Sequence, residues 1–386
     1  MVLPAKRCPA SCPIQLAAVS ACVLLASAGA SSAEEVEDRL RFHGYIDAHY
    51  NNPVLGTMNS SAPSVAEVHR LAVGFTYEFT SAIRGEAEID FEHDAQELEL
   101  EYAYVECDLA STLALRAGAL LMPVGPLNEP HEPVGYYSVE RPYIERSLIP
   151  TTWSEFGVGV AGRAVKGALG YRAYLVTGLN AVGFTTLNGI RGGREGGEAA
   201  SANELAGVAR GEYSPASGLA LGASIYYGGA NQGVPGLGSI FVSILSLDAR
   251  YRQAGFEFRG LAAGIGVDGA DSVSAVTGRT IGSSMNGWSL EGACNLLHRK
   301  AVDGGTGGGS VGGKALYLFA RYEDFDTNAE VPTGFTADPQ ADRQIFTTGV
   351  SYLPIDKVAF KTDFEFWEDG SDAKLTRFNL GVALQF

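Results

Sequence analysis

Gly308–Lys314 is the first of three stretches whose residue types could bind a ligand or perform chemistry. It reads GGSVGGK, close to the glycine-rich loop that holds nucleotide phosphates. Ala315 stands where that loop needs a hydroxyl to hold Mg²⁺, and a strand pattern follows where a helix is needed. We therefore interpret this segment as a glycine-rich turn.

Two acidic stretches resemble metal sites. Glu129, His131 and Glu132 lie between prolines with no second histidine near them. The second stretch has the alternating spacing of a calcium loop but lacks its turn glycine; its members are Asp324, Asp326, Asn328 and Glu330. The sequence therefore predicts no metal site and no cofactor.

A nucleophile is the third kind of chemistry to consider. The chain has no G-x-S-x-G nucleophile elbow: Gly308–Gly312 matches the letters, but a strand pattern follows where the elbow needs a helix. Its six histidines lie on alternating stretches or in loops, and only His69 has a position that predicts a lipid-facing side chain. A lipid hydrolase would need a serine beside it, and none is present. The prediction is a protein that is not an enzyme.

The elements that position these residues show strict alternation of apolar and polar side chains. Between Gln96 and Glu106, Leu98, Leu100, Tyr102 and Tyr104 occupy one face and glutamates occupy the other. Successive side chains of a strand face opposite sides, so this pattern predicts a strand between an apolar and a polar environment. The same pattern predicts about sixteen strands, at 39–50, 66–79, 82–92, 96–107, 111–121, 153–164, 168–179, 203–213, 217–229, 238–252, 255–267, 286–297, 313–326, 343–353, 357–367 and 374–386.

The connections between these strands alternate between long and tight. The long ones are 51–65, 122–152, 180–202, 268–285 and 327–342, and the connection 298–312 is the one long segment among the tight turns. An even strand number, long external loops and short periplasmic turns are typical of an outer-membrane barrel. We therefore predict an all-β fold: a transmembrane antiparallel β-barrel of about sixteen strands. Trp153, Phe79, Phe366 and Tyr104 are predicted to lie in its aromatic girdles.

Composition and the N-terminal segment agree with export. Lys6 and Arg7 precede an apolar run and then small residues up to Ala33, the layout of a signal peptide. Residues 1–33 are therefore predicted to be removed, leaving one barrel domain, 34–386; lipidation at Cys22 is the alternative. The net charge of −16 excludes a nucleic-acid partner. The predicted location is the outer membrane of a Gram-negative-type bacterium, as a multi-pass barrel.

Two regions resemble a known family. LLMPVGPLNEPHEP (120–133) and VERPYIERSLIPTTWSEFGVG (139–159) form the first, and ARYE (320–323), TGVSY (348–352) and FKTDFE (360–365) form the second. Both resemble the phosphate-selective porin O and P-like family of outer-membrane porins. The resemblance implies a trimeric, sixteen-stranded porin whose long third external loop folds into the lumen. That family's phosphate channels use lumen arginines and lysines, whereas two adjacent strands here carry mainly glutamates.

The sequence thus predicts a porin for passive diffusion of small hydrophilic solutes and ions, with anions such as phosphate among the candidates. Its predicted partners are these solutes, outer-membrane lipid and two further copies of the chain. The alternative is a barrel with a structural, adhesive or lipid-hydrolysing role. The predicted constriction comprises Glu129, His131, Glu132, Glu140, Arg141, Glu145 and Arg146 on the loop, facing Arg84, Glu86, Glu88, Arg116 and Arg321 on the wall.

Overall fold

The computed structural model describes residues 39–58, 63–92, 97–196, 200–299, 309–310 and 313–386. Arg41–Phe386 forms one compact unit. The predicted signal peptide, residues 1–33, and most of the glycine-rich turn lie outside the described residues. No helix in the part of the chain that the structure describes is long and apolar enough to cross a membrane.

Strands make up most of the described chain. They are β1 Leu40–Gly56, β2 Val65–Thr80, β3 Ile83–Glu92, β4 Glu97–Ala110, β5 Leu113–Leu121, β6 Ser154–Ala164, β7 Leu169–Thr177, β8 Leu205–Ala216, β9 Leu219–Gly229, β10 Phe241–Gln253, β11 Phe256–Asp268, β12 Ser284–Asn295, β13 His298–Arg299, β14 Gly309–Ser310, β15 Ala315–Glu330, β16 Asp342–Ile355, β17 Val358–Asp369 and β18 Lys374–Gln385. One α-helix, α1, spans Ala270–Thr277.

All of these strands except β13 and β14 close into a single barrel. Each strand neighbours the next along the chain, and β1 pairs antiparallel with β18, where Tyr45 lies opposite Gln385. Closure gives every strand two hydrogen-bonded neighbours, as a chain crossing lipid requires. The prediction of a closed, sixteen-stranded antiparallel barrel is confirmed. The short strands β13 and β14 pair only with each other.

The outer face of the barrel is apolar. Phe42, Leu98 and Leu290 are 66%, 61% and 60% exposed, whereas Tyr45 and Asp90, which point inward, are fully buried. A water-soluble barrel would bury its large apolar side chains instead. The exposed belt therefore belongs against hydrocarbon.

Two predictions of side-chain direction are wrong. Ile89 pairs with Leu100 but Glu88 pairs with Tyr102, so a bulge at Glu101 reverses the alternation in β4. Tyr102 and Tyr104 therefore face the lumen, where the Tyr104 hydroxyl donates to Glu86 at 2.6 Å.

The second error concerns β2. Val68 is 45% exposed on the outer face, and Arg70 is buried inside. The His69 ring stacks on His49 of the lumen face, with 4.7 Å between ring centroids. His69 and Arg70 both point inward, which breaks the alternation, so the prediction that His69 faces lipid is wrong.

Because neighbouring strands run in opposite directions, the long connections after β1, β5, β7, β11 and β15 lie at one end, here called the external end. The connection that holds β13 and β14 lies at the opposite end among the tight turns, as the sequence predicted. Residues 122–153 between β5 and β6 are the third external loop. Residues 178–204 between β7 and β8 are the fourth.

An apolar core fills part of the barrel interior near the external end. The inner faces of β7 to β12 supply Tyr174, Val176, Val208, Tyr226, Val242, Ile244, Ile265, Val267 and Met285, and the loops supply Met122, Ile144, Leu148, Trp153, Phe184, Ile190 and Val273. Trp153 is fully buried there. Its predicted place in a lipid-facing girdle is therefore wrong, because it anchors the third external loop inside the barrel.

Candidate functional site

The third external loop runs through the barrel interior. The Val139 N–H donates to the Asp363 carboxylate of β17 at 2.6 Å, and the Ile144 N–H donates to Glu323 of β15 at 2.9 Å. The Lys361 ammonium of β17 donates to the Ser138 carbonyl at 3.0 Å. Prolines leave this loop few regular backbone partners of its own, so buried charged groups of the wall hold its backbone.

On the other side of the lumen, loop side chains contact the wall. Glu129 accepts from Arg172 of β7 at 2.8 Å. His131 is buried and lies 3.3 Å from Glu88 of β3. Burial alone would lower the pKa of His131, but the hydrogen bond with Glu88 and the charges of Glu101 and Glu88 together outweigh it and raise that pKa. The structure thus places Glu129 against Arg172 and His131 against Glu88 where the loop meets the wall.

Glu140 ties the loop to β1. Its carboxylate accepts from the Asn51 amide at 2.8 Å and lies 3.4 Å from His49 and 3.5 Å from Arg146. Burial raises the pKa of Glu140, but the His49 hydrogen bond and the His49 and Arg146 charges outweigh it and hold that pKa well below its usual range. Glu132 makes a weaker contact with the wall, 3.5 Å from the Gln385 amide.

Glu145 is one of the predicted constriction residues that are buried away from water. It is 4% exposed and accepts from the Leu127 N–H at 3.1 Å. Burial, with the charges of Asp248 and Glu323, raises the pKa of Glu145 to about 8. It is therefore a neutral group inside the loop at neutral pH. It holds the fold of the loop rather than lining an open passage.

Arginines of both loops gather around Thr151. Arg141 donates to the Thr151 hydroxyl at 3.3 Å, and Arg194 donates to its carbonyl at 2.6 Å. Arg191 donates to the Arg146 carbonyl at 3.1 Å. Burial and the charges of Arg194 and Arg146 lower the pKa of Arg191. Among the described residues, no carboxylate lies within 4 Å of Arg141, Arg191 or Arg194, and the charges of Glu101, Glu99 and Glu92 act on Arg194 from farther away.

A cavity of about 220 Å³ separates the loop from the wall on the β3 to β7 side. It is lined by Glu86, Tyr102, Tyr104, Arg116, Leu120, Leu121, Glu129, Arg172 and Tyr174. Arg116 donates to Glu106 and, at 3.1 Å, to the Tyr174 hydroxyl. Arg84 also pairs with Glu106. Loop and wall charges of both signs therefore meet in this cavity.

Arg321 occupies a different place from the other wall residues of the predicted set. Its side chain is 1% exposed and donates to Glu323 at 2.8 Å and to Ser138 of the loop at 2.6 Å. It also lies 3.2 Å from Glu291. Arg321 is thus sealed beneath the loop, away from the cavity that Arg116 lines.

Sequence reasoning missed several residues of this site. Arg172 has an inward position on its strand, but nothing in the sequence placed it opposite Glu129. His49 and Lys361 likewise have inward positions on their strands, but the sequence did not identify their partners, which are loop groups far away in the chain. Arg191 and Arg194 lie in the fourth external loop, which was not predicted to enter the barrel.

Metal ligands do not gather at this site. The described residues contain no group of three or more His, Cys, Asp and Glu side chains that could hold a metal ion. Asp324, Asp326, Asn328 and Glu330 lie along β15, which continues to Glu330. There the Asn328 N–H donates to the Asp326 carboxylate at 2.6 Å.

Solved structures share this architecture. An anion-selective porin from Comamonas acidovorans has a TM-score of 0.55 and 11% identity, over 90% of this chain and 99% of that one. OmpT of Vibrio cholerae, an outer membrane protein in trimer form, has a TM-score of 0.56 and 11% identity, over 90% and 99%. At this identity the likeness concerns the fold. A closed barrel of this kind with an apolar belt is an outer-membrane protein that crosses the bilayer many times.

Sequence comparison identifies a nearer relative. No family model matches the chain. An uncharacterized protein of Aquifex aeolicus (strain VF5) is 32% identical over 370 residues, which cover 90% of this chain and 80% of that protein. This identity extends over nearly the whole barrel. The chain therefore belongs to the same family as this Aquifex aeolicus protein.

Proposed function

We propose that the chain is a porin that lets small hydrophilic solutes and ions diffuse across the outer membrane. The observation that carries the proposal is the charged cavity between the third external loop and the wall of the closed barrel. A barrel of this size leaves room for an aqueous channel, and a loop folded inside it narrows the passage. Such a mechanism involves no covalent chemistry, so we propose that the protein is not an enzyme.

The constriction that we propose lies where Glu129 faces Arg116 and Arg172. The constriction continues toward the tight-turn end of the barrel along Glu86, Arg84 and Glu106. The remaining predicted residues support the loop: His131, Glu132, Glu140, Arg141, Glu145 and Arg146 from within it, and Glu88 and Arg321 from the wall. This division follows from burial, since the second set is mostly sealed from water or bonded to the loop backbone.

Charge pairing supports a weak ion preference. Arg84 and Arg116 share Glu106, and Arg172 lies 2.8 Å from both Glu129 and Glu212. Arginines already engaged by carboxylates attract an entering anion less than free guanidinium groups do. The motifs of the third loop and the tail support a place in the phosphate-selective porin O and P-like family, but this pairing does not favour strict phosphate selectivity.

Planar-bilayer recording tests the proposal. The wild type is expected to conduct, with a small reversal potential in a KCl gradient. Replacing Arg116 and Arg172 by Gln leaves Glu86, Glu106 and Glu129 unbalanced, so we expect the reversal potential to shift toward cation preference. Lys357→Gln, in the tight turn between β16 and β17, is the matched control and should leave it unchanged.

Four outcomes would contradict parts of this proposal. A barrel that passes no current would point to the structural or adhesive alternative, and release of fatty acid from lipid would point to a hydrolase. An unchanged reversal potential in the double variant would reject the assigned constriction. Replacing chloride by phosphate is expected to lower the current, and a rise would instead support phosphate selectivity.

Assembly and export complete the proposal. We propose a homotrimer, which the trimer form of the Vibrio cholerae OmpT supports by analogy of fold. The apolar belt would contact outer-membrane lipid and the neighbouring subunits. Residues 1–33 have the layout of a signal peptide, and mass spectrometry of the membrane-extracted protein would locate the cleavage site.

A further inference from the structure

A second cavity opens at the external mouth of the barrel. Its volume is about 510 Å³, within the range of sites that hold small organic molecules. It is lined by Asn51, Pro53, Pro63, Val65, Glu67, His69, Glu140, Tyr143, Arg146, Ser147, Asn188, Arg343, Trp367, Leu375 and Arg377. Strands β1, β2 and β16 to β18 supply its wall, and the third external loop supplies its floor.

Aromatic and aliphatic side chains form one part of this mouth cavity. The Tyr143 and Trp367 rings meet edge to face, with 4.3 Å between their centroids and 72° between their planes. Pro53, Val65 and Leu375 extend the apolar surface. A channel that conducts only hydrated ions does not need an apolar surface at its entrance. It suits the flat, apolar body of an organic solute.

Three arginines form the other part. Arg146 is 47% exposed in its side chain and has one carboxylate contact, to Glu140 at 3.5 Å. Arg343 donates to the carbonyls of Gln340 and Leu187, and no carboxylate of the described residues lies within 4 Å of it. Arg377 lies 5.7 Å over the Trp367 ring, but it is already engaged by Glu365 at 3.5 Å and donates to the Tyr143 hydroxyl at 3.0 Å. The Arg146 and Arg343 guanidinium groups therefore stand beside the aromatic surface with donors to spare.

The two acidic residues of the mouth cavity already have partners. Glu140 is engaged by His49, Asn51 and Arg146, and Glu67 lies 3.0 Å from His69. These contacts partly neutralise the carboxylates that would repel an anion. The cavity thus joins an apolar surface to Arg146 and Arg343, which carboxylates engage weakly or not at all. This pairing distinguishes it from the constriction, where carboxylates engage Arg84, Arg116 and Arg172.

We propose that the mouth cavity binds a small aromatic carboxylate. Its carboxylate would accept from the Arg146 and Arg343 guanidinium groups, which present planar donors that match a carboxylate. Its ring would lie against Trp367 and Leu375. The inference deepens the proposed function, on which it rests, by naming a solute class for the entrance of the channel.

The test measures binding without requiring flux. Detergent-solubilised full-length protein is titrated with para-nitrobenzoate, which quenches tryptophan fluorescence. The protein has three tryptophans; Trp153 is buried in the apolar core and Trp288 lies on the lipid face. Saturable quenching of Trp367 is therefore expected, and Trp367→Phe should abolish the signal while calorimetric binding of benzoate persists.

Paired variants give the decisive comparison. Replacing Arg146 and Arg343 by Gln removes charged donors, so we expect the apparent Kd to rise at least about tenfold. Lys374→Gln removes a charge at the same end of the barrel, from an exposed side chain outside the cavity, and should leave Kd unchanged. Acetate and para-nitrobenzyl alcohol, which each lack one half of the proposed solute, should bind more weakly than para-nitrobenzoate.

Other results would overturn the inference. Non-saturable quenching, an unchanged Kd in the double variant, or equal binding of the neutral alcohol would each reject an aromatic carboxylate site. Failure of the porin proposal is a separate result. If the barrel binds the probe saturably but passes no current, the porin proposal is contradicted and the binding site stands. If the barrel conducts but shows no saturable binding, only the binding site is contradicted.

Discussion

Glu145 shows how burial changes the chemistry of a single residue. Its carboxyl group is enclosed by the third external loop and accepts from the Leu127 N–H. Because its pKa rises from 4.5 to about 8 on folding, the folded protein holds a proton that the unfolded chain releases above pH 4.5. The stability from this proton is fully present below the unfolded pKa and is lost as pH rises through the folded one.

We therefore expect Glu145→Gln to flatten the pH dependence of stability. As pH rises from the unfolded pKa to the folded pKa of Glu145, the loss of its proton should lower the wild type's free energy of unfolding by up to about 1.4 kcal/mol per pH unit. Denaturant unfolding of lipid-reconstituted protein at several pH values measures it. Glu330→Gln, at an exposed position, is the control. If the free energy of unfolding has the same slope against pH in Glu145→Gln and in wild type, the raised pKa of Glu145 is contradicted.

At the scale of elements, the strands were largely predictable and some of their faces were not. Alternation located all sixteen barrel strands, because lipid on one side and water on the other impose a period of two. The bulge at Glu101 adds one residue against β3 and reverses every later side chain of β4. No turn residue or glycine marks that position. Tyr104 therefore could not be placed in the lumen from sequence.

The third external loop was predictable in position but not in its attachments. The sequence showed its length and its prolines, and the resemblance to the porin family implied that it folds into the channel. Its anchors depend on which wall residues lie across the lumen, and residues 224 positions apart, such as Val139 and Asp363, meet only after the barrel closes. Nothing in the sequence pattern predicted that the fourth loop, with Arg191 and Arg194, enters the barrel.

Asp363 offers a test of how the wall holds this loop. Asp363→Ala removes the acceptor for the Val139 N–H, a charge-assisted bond of a kind that contributes about 1.5–3 kcal/mol. We expect the loop to move more, which should broaden the distribution of single-channel conductances. Asp363→Asn keeps an acceptor oxygen for the Val139 N–H, although it loses the one that accepts from Asn379, and is the matched control, with a narrower conductance distribution than Asp363→Ala. Identical recordings for Asp363→Ala and wild type would show that other contacts hold the loop.

At the scale of the whole molecule, the interior of the barrel is only partly polar. Alternation predicted apolar side chains toward lipid and polar ones toward water, and this arrangement holds along the outer face. Inside β7 to β12, however, Ile244, Ile265 and their neighbours are apolar and buried by the external loops. The barrel thus has a lipid-facing belt outside and a second apolar core inside, which fills part of the lumen.

Phe184 tests whether this inner core stabilises the protein independently of barrel closure. The residue is fully buried where the fourth external loop meets α1 and the third loop. Phe184→Ala removes a large buried ring and is expected to lower the free energy of unfolding by about 3–5 kcal/mol. Phe346→Ala is the matched control, because Phe346 is 41% exposed on the outer face and contacts detergent in both the folded and the unfolded protein.

The backbone pairing of the barrel does not depend on Phe184, so the strand signal in circular dichroism and the heat-dependent gel shift of the folded form should persist in Phe184→Ala. Two properties should change: the unfolding midpoint should fall, and protease should cleave the loop segments more readily. An unchanged midpoint would mean that lipid and strand pairing alone determine stability. Loss of the barrel itself would mean that the inner core is needed for closure.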